Sequence, residues 1–454
     1  MHWLSWSLLL GALLLIPADL TSTFLPPDAF KTPEDSERFL SKMKRLHELQ
    51  ADTLGIKIDW DSEIFKDGKV NPYLFEGRAL LTEEQLDEML NDLDASGRRK
   101  KRSITNNPAL RWGEQIPVRI DPQVNATPII EAAYFWGENT CVRLIDRPDL
   151  GASTPGLFFT PSTTGCISQT IGKPSQRANI TLDPTCADYL TLTQMIATAL
   201  GVFSEHNRAD RNEYVTITDQ SVELHYLILA YFKQQWRNIN DFVIDYDYGS
   251  VMHYGSYQWS YNGTRVLTTT DPNYQRTIGQ VDGPTFADVK RVNRAYCATK
   301  CDSFPDDCKN GGYPDPLDCV QCKCPPPFAG QLCGGVNNGT GNCGTRSLNA
   351  DDTLRTLTQN GTKTCYYVIT APATKQVHFE LTTLNINSSP GPEAMREACL
   401  YHYLEINYRA DFSFGGPRFC NNTLPTVSRS QTNKLVLSYK GKNQSRFVLK
   451  YKAV

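Results

Sequence analysis

TQMIATALGVFSEHNRADRNEYVTI, running from Thr193 to Ile217, decides how this chain is read. Leu192, Met195, Ile196, Ala199 and Leu200 recur at i, i+3, i+4, i+7 and i+8, so the spacing predicts an amphipathic helix with one buried face. Gly201 follows in the position where glycine commonly ends a helix. Taken alone, this is an ordinary core helix. What flanks it gives it a second meaning.

Working outward, the chain starts MHWLSWSLLLGALLLIPADLTST, with an apolar run from Leu8 to Ala18 that is too short to span a bilayer. Its place at the N-terminus reads as a secretory signal over residues 1–20, with the cut near 18–23. No later stretch has the length of a membrane span, so a secreted, extracellular protein is expected. The 14 cysteines agree, being even in number and absent before Cys141. Eight N-x-S/T sequons, at Asn125, Asn179, Asn262, Asn338, Asn360, Asn387, Asn421 and Asn443, fit a glycosylated exterior. A net charge of −3 points to no particular partner and gives no sign of nucleic-acid binding.

A chain of 454 residues is too long for one core. The first boundary is Arg98-Arg99-Lys100-Lys101-Arg102, a basic run between Gly97 and Ser103. It reads as a cut site for a basic-specific convertase, acting after Arg102. Residues 21–102 are then a detachable pro-segment without cysteine, with helical spacing over Glu34 to Leu54 and Thr82 to Leu93. Residues 103–297 form a large block with few cysteines. Cys301, Cys308, Cys319, Cys322, Cys324 and Cys333 then crowd into a segment too small to bury a core, which must be stapled; six cysteines allow 15 pairings. After a glycine-rich joint, 343–454 alternates as strands do in CYYVITAP, QVHFELTTL, KLVLSYKG and SRFVLKYKA, the pattern of an antiparallel sandwich.

LGVFSEHNRADRNEYVTI, GSVMHYGSY, TFADVKRVNRAYC and FWGENTCVRLIDRP together resemble the astacin family of secreted metalloendopeptidases. CKNGGYPDP…CVQCKCPPPFAGQLC (residues 298–334) resembles an EGF-like module, and 343–454 resembles a CUB domain, a tail common in nematode members. The resemblance implies a multidomain chain: an α+β metzincin-like domain, a small disulfide-rich module and an all-β sandwich. It also implies the pairs Cys141–Cys297, Cys166–Cys186, Cys301–Cys319, Cys308–Cys322, Cys324–Cys333, Cys343–Cys365 and Cys399–Cys420. The mature chain would start at Ser103, whose amine the family hands to the residue matching Glu205.

Astacins carry HExxHxxGxxHExxR, in which three imidazoles hold zinc and the first glutamate takes a proton from the zinc-bound water. On this sequence the ligand positions read Gln194, Thr198 and Ser204, and the general-base position reads Met195, while Gly201, Glu205 and Arg208 remain. A neutral amide and two hydroxyls are poor zinc donors beside imidazole, and methionine accepts no proton. The pro-segment departs in step: the family's zinc-blocking aspartate in FxGD is Arg78 in Phe75-Glu76-Gly77-Arg78, a cation that cannot ligate metal. Of seven histidines, His206, His225 and His253 lie in this domain and none forms an HxxxH pair. Met252 and Tyr254 match the family's turn beneath the metal. In the sandwich, His402 stands where calcium-binding CUB domains carry aspartate, so calcium is not expected.

The expectation is therefore a secreted pseudoprotease that keeps no zinc cofactor and binds or regulates an extracellular polypeptide or matrix protein. Two other readings stay open: an active metalloendopeptidase with an atypical metal site, and an EGF/CUB adhesion module with the large domain as spacer.

Overall fold

The computed structural model describes residues 30–52, 57–61, 71–75, 77, 79–94, 104–105, 110–163, 165–218, 222, 239–240, 244–389 and 391–454. Residues 1–20, read above as a secretory signal, and Arg78, Arg102, Ser103 and His225 lie outside these described residues.

The segment ahead of residue 103, read above as a pro-segment, forms α1 (Pro33–Asp52) and α2 (Glu83–Asp94). Thr82 and Gln85 cap α2 reciprocally: the Gln85 amide N–H donates to Thr82 Oγ1 at 3.2 Å, and the Thr82 N–H to Gln85 Oε1 at 2.8 Å. Lys42 of α1 reaches Asp87 of α2 at 2.6 Å, and both helices turn apolar faces inward.

The central body begins with β1 (Ile104–Thr105), β2 (Gln115–Ile120), α3 (Thr127–Asn139), β3 (Arg143–Asp146), β4 (Gly156–Pro161), β5 (Ile167–Ser168) and β6 (Arg177–Leu182). The sheet order is β3-β2-β4-β6-β5, parallel except for the edge strand β5, which runs antiparallel to β6. α4 (Tyr189–Ala199) packs with α3 on this sheet. Trp136 of α3 is fully buried there and donates its indole N–H to the Thr193 carbonyl at 3.2 Å. β7 (Val215–Ile217), β8 (Ile239–Asn240) and β9 (Leu267–Thr269) follow; β8 pairs with β1, and β7 with β9.

α5 (Phe286–Tyr296) closes the body, its first turn fixed by a capping box between Thr285 and Asp288. Cys141–Cys297 ties the end of α5 to the end of α3, and Cys166–Cys186 braces the approach to α4.

Residues 301–333 carry Cys301–Cys319, Cys308–Cys322 and Cys324–Cys333 around two short hairpins. These are β10 (Tyr313–Asp315) with β11 (Asp318–Lys323), and β12 (Phe328–Ala329) with β13 (Gly335–Val336). The last block adds β14 (Ser347–Asn349), β15 (Arg355–Asn360), β16 (Thr364–Thr370), β17 (Val377–Asn385), β18 (Tyr403–Asn407), β19 (Arg418–Phe419), β20 (Lys434–Lys440) and β21 (Arg446–Ala453). Sheets β14-β16-β20-β18-β19 and β15-β21-β17 share one core, to which Tyr367, Leu437, Phe379 and Leu449 contribute. Cys343–Cys365 and Cys399–Cys420 staple this sandwich.

The tail is fused to the body. The Lys290 ammonium of α5 donates to the Gly311 carbonyl at 3.0 Å and to Ser413 Oγ at 2.9 Å, so one side chain joins three blocks. Tyr403 of β18 donates its hydroxyl to Asp282 at 2.6 Å.

Seven of the eight sequon asparagines are exposed. Asn179 differs: it lies on β6 at 6% exposure, with its backbone N–H given to Gln169 Oε1. A glycan needs a solvent-facing amide, so the packed sheet leaves no room for one at Asn179.

Candidate metal centre

Asp188 opens α4 by accepting the Thr191 N–H at 2.8 Å, which satisfies one of the orphan donors of the first turn. Leu192, Ile196, Ala199 and Leu200 go into the core. At the other end, Gly201 has φ +85°; its N–H reaches the Thr198 carbonyl at 2.8 Å, and the Val202 N–H reaches the Ala197 carbonyl at 2.9 Å. This pair of bonds is a Schellman stop. It turns the chain so that Ser204 follows one bend after Gln194 and Thr198.

Each candidate ligand position is buried or engaged. The Gln194 side chain donates Nε2–H to the Val251 carbonyl at 2.7 Å, tying α4 to the turn at 250–254. Thr198 is 3% exposed and donates its hydroxyl back to the Gln194 carbonyl at 3.0 Å. Ser204 is 1% exposed and precedes a single helical turn over Glu205–Asn207. Met195 is buried among apolar side chains.

The turn below is held from α5. Asp288 accepts the Ser250 hydroxyl at 2.6 Å and the Val251 N–H at 2.9 Å, and the Met252 carbonyl accepts the Glu205 N–H at 3.1 Å. His253 donates through Nδ1 to the Tyr254 carbonyl at 2.7 Å and meets the Tyr246 hydroxyl through Nε2 at 2.6 Å. Burial pushes its pKa down to about 4, so the ring is neutral and both nitrogens are used. His206 is fully buried, and Tyr254 stacks on it with ring centroids 4.1 Å apart. Trp259 packs edge-on against Tyr254 at 4.7 Å. Among the described residues, no three His, Cys, Asp or Glu side chains form a group that could hold a metal ion.

Glu205 is the hub of a buried ionic network that the sequence pattern disclosed only in part. Its carboxylate faces Arg208 and Arg291, each at 3.1 Å, and accepts the Asp247 N–H at 2.9 Å. Arg208 also forks onto Asp210 with two 2.9 Å bonds. Asp247, Asp288 and Arg291 were missed by motif reasoning; the one available signal was the i, i+3 spacing of Asp288 and Arg291 within TFADVKRVNRAYC. Burial, and then the Asp288 charge, push the Asp247 carboxyl up to about 7.

The N-terminal segment that carries α1 and α2 lies against the same region. Phe75, fully buried, meets Phe203 edge-on at 6.1 Å, and Leu80 gives its N–H to the Ser168 carbonyl on edge strand β5 at 2.9 Å. Gln85 of α2 donates to the Ile171 carbonyl. Phe39, Met43, Leu46, Phe75 and Leu86 of the N-terminal segment share one buried cluster with Ile167, Ile171 and Phe203 of the body.

Residues 104–297 match the family description Astacin (Peptidase family M12A), and residues 343–451 match CUB domain. The zinc metalloproteinase nas-34 of Caenorhabditis elegans is 38% identical over 444 residues, which cover 92% of this chain and 71% of that protein. The zinc metalloproteinase nas-30 of the same organism is 32% identical over 389 residues, covering 80% of this chain but 48% of its own length. Among solved structures, high choriolytic enzyme 1, a hatching enzyme zinc-protease from Oryzias latipes, aligns at 24% identity with a TM-score of 0.38, over 42% of this chain and 96% of that one.

Proposed function

This chain belongs to the astacin family, and we propose that within it the chain is a catalytically inert member: a secreted pseudoprotease that binds polypeptide and does not cut it. The observation that carries this reading is the residue set at the ligand positions. Zinc in a catalytic site takes three imidazole, thiolate or carboxylate donors and an open fourth position. Gln194 presents a donor to Val251, Thr198 spends its hydroxyl proton on its own helix, and Ser204 is a buried alcohol. These residues do not fit zinc. Met195 in the base position cannot take a proton from water, and the carboxylate of Glu205 is held between Arg208 and Arg291. The family's cofactor is therefore not expected here.

The network that surrounds such a site is intact, which supports a retained binding role over a decayed domain. Asp288 still anchors the 250–254 turn, and Glu205 still sits between two arginines. The fused tail speaks against an EGF/CUB adhesion unit carried on a passive spacer, since Lys290, Asp282 and Arg418 bind the blocks to each other. In this reading the stapled module 298–334 is EGF-like, residues 1–20 direct secretion, and a convertase cuts after Arg102 to free Ser103. The partner is an extracellular polypeptide or matrix protein that takes the place of the pro-segment along β5. The test is a pull-down and calorimetric titration of the mature protein with unfolded extracellular polypeptide: saturable binding without fragments is expected, and chelator-sensitive cleavage would contradict it.

A further inference from the structure

The body and the sandwich meet along a seam in which one loop of the sandwich grips one stretch of the body. The loop covers residues 391–400, with a single helical turn at Glu393–Met395, and Cys399–Cys420 staples its far end. Glu397 Oε2 accepts from Arg265 Nη2 at 2.7 Å, and the Glu397 backbone carbonyl accepts from Arg276 Nη1 at 3.0 Å. The Cys399 N–H reaches the Arg276 carbonyl at 2.8 Å. Nearer the tip, the Ala394 carbonyl accepts the Tyr257 N–H at 3.1 Å. The Arg396 guanidinium lies 3.8 Å from the centre of the Tyr257 ring and also donates to the Gly263 carbonyl.

The gripped stretch begins where the turn at 250–254 ends. Gly255 lies so close to the loop that a Cβ there would sit 2.3 Å from the Ala394 carbonyl oxygen. Tyr257 then opens a tight turn, which Ser260 closes by giving its N–H to the Tyr257 carbonyl at 3.0 Å. Trp259 fills the second central position of that turn with φ +61°, a left-handed backbone in which glycine is usual. A bulky residue keeps such a backbone only where its surroundings impose it. The loop meets this turn at its first residue, through the Ala394 and Arg396 contacts on Tyr257. The result is an aromatic wall, with Trp259 edge-on to Tyr254 and Tyr254 stacked on the buried His206. Tyr254 and Trp259 both keep partial exposure to solvent. Gln194 of α4 bonds Val251 in the adjoining turn, so the wall stands beside the candidate metal centre.

We propose that loop 391–400 of the sandwich is a positioning element for the cleft: it holds Trp259 and Tyr254 as one wall beside α4, and through that wall the sandwich sets how tightly the cleft holds polypeptide. The positioning stands on the contacts alone, whereas the effect on affinity rests on the pseudoprotease reading above. A ring contributes to binding through the area it covers and the ring contacts it makes, and both are lost when it turns away.

The experiment labels the full chain with fluorinated tryptophan and follows it by fluorine NMR; the resonance missing from Trp259→Phe is that of Trp259. Arg396→Ala removes the contact on Tyr257 from a side chain that is 39% exposed, so this variant is expected to fold. Gly255→Ala drives the Ala394 carbonyl away from the turn. Both should shift or broaden the Trp259 resonance and leave those of the other tryptophans in place, and Arg396→Lys, which keeps the cation over the ring, should restore it. Casein, a naturally unfolded secreted polypeptide, is then titrated by calorimetry into the chain cut after Arg102. Arg396→Ala should bind it roughly tenfold more weakly, the effect of one lost ring contact, with Arg396→Lys close to the unmodified protein. A Trp259 resonance indifferent to both Arg396→Ala and Gly255→Ala would overturn the proposal. Equal movement of all the tryptophan resonances would do the same, since the loop would then act on the whole fold, and so would a displaced Trp259 with unchanged casein affinity. If the unmodified protein binds no casein, the pseudoprotease reading falls and the effect on affinity with it, while the Trp259 resonance still decides the positioning.

Discussion

Gln194 donates its side-chain amide to the Val251 carbonyl at 2.7 Å, and so the helix residue that stands in the first ligand position is bonded to the turn below it. A histidine there would present a lone pair; the glutamine presents an N–H and uses it within the fold. Replacing Gln194 by Ala should remove one partly buried hydrogen bond and lower stability by about 1 kcal/mol. For a domain of this size that is a fall of roughly 2–4 °C in melting temperature, read by calorimetry. An unchanged or raised melting temperature would show that the bond carries no weight.

Asp247 sets a pH dependence whose sign is fixed by its environment. Its carboxyl titrates at about 7 in the fold, against about 3.9 in an unfolded chain. The fold thus favours the neutral form, and this contribution is full below pH ~4 and is lost as pH rises through 7. Asp247→Asn keeps an acceptor for the Gly249 N–H and removes the titration. Relative to the unmodified protein, it should gain stability between pH 4 and 7, by up to about 4 kcal/mol. His253 works in the opposite sense, since its depressed pKa of about 4 favours the neutral ring above pH ~6.5 and loses that preference on acidification. Denaturant titrations at several pH values, run on both proteins, separate the two; a constant difference across the range would refute the assignment to Asp247.

Docking of the N-terminal helices on the body rests on apolar contact. Phe75 is fully buried against Phe203, so Phe75→Ala should weaken docking by about 3–5 kcal/mol. Hydrogen exchange should then rise in α1, α2 and residues 71–75 while the sandwich stays protected. Unchanged protection in α1 and α2 would mean that the helices hold themselves in place without this contact.

The buried helix, the strand-rich tail and the stapled segment were legible in the sequence because each rests on local periodicity or cysteine density. Leu192, Ile196 and Ala199 announce the helix, and the alternation in KLVLSYKG announces β20. The disulfide pairing came only with the resemblance, because spacing left six cysteines with 15 pairings. The seam was illegible: Glu397 meets Arg265 and Arg276 across more than a hundred residues of chain, and no pattern encodes such a contact. The same holds for Asp288 reaching back to Val251, and for Asn179, whose sequon reads like any other until the sheet buries it.

The frame around α4 should accept its missing chemistry. Gln194→His, Thr198→His and Ser204→His together restore three imidazole donors on the helix and its bend, and Met195→Glu adds the base. Met195 is buried, so the added glutamate should lower the stability of the four-residue form, and zinc bound by the three histidines should recover it. The three-histidine form should bind zinc and stay inert, and the four-residue form should bind zinc and cleave unfolded protein. If the three-histidine form folds and fails to take zinc, the geometry has diverged beyond the ligands themselves.

The most direct measurement is the zinc content of the purified mature protein after exposure to a slight excess of zinc and removal of the unbound metal. Elemental analysis should give well under one zinc per chain, with a melting temperature indifferent to chelator. One firmly held zinc per chain, lost to chelator together with stability, would contradict the account.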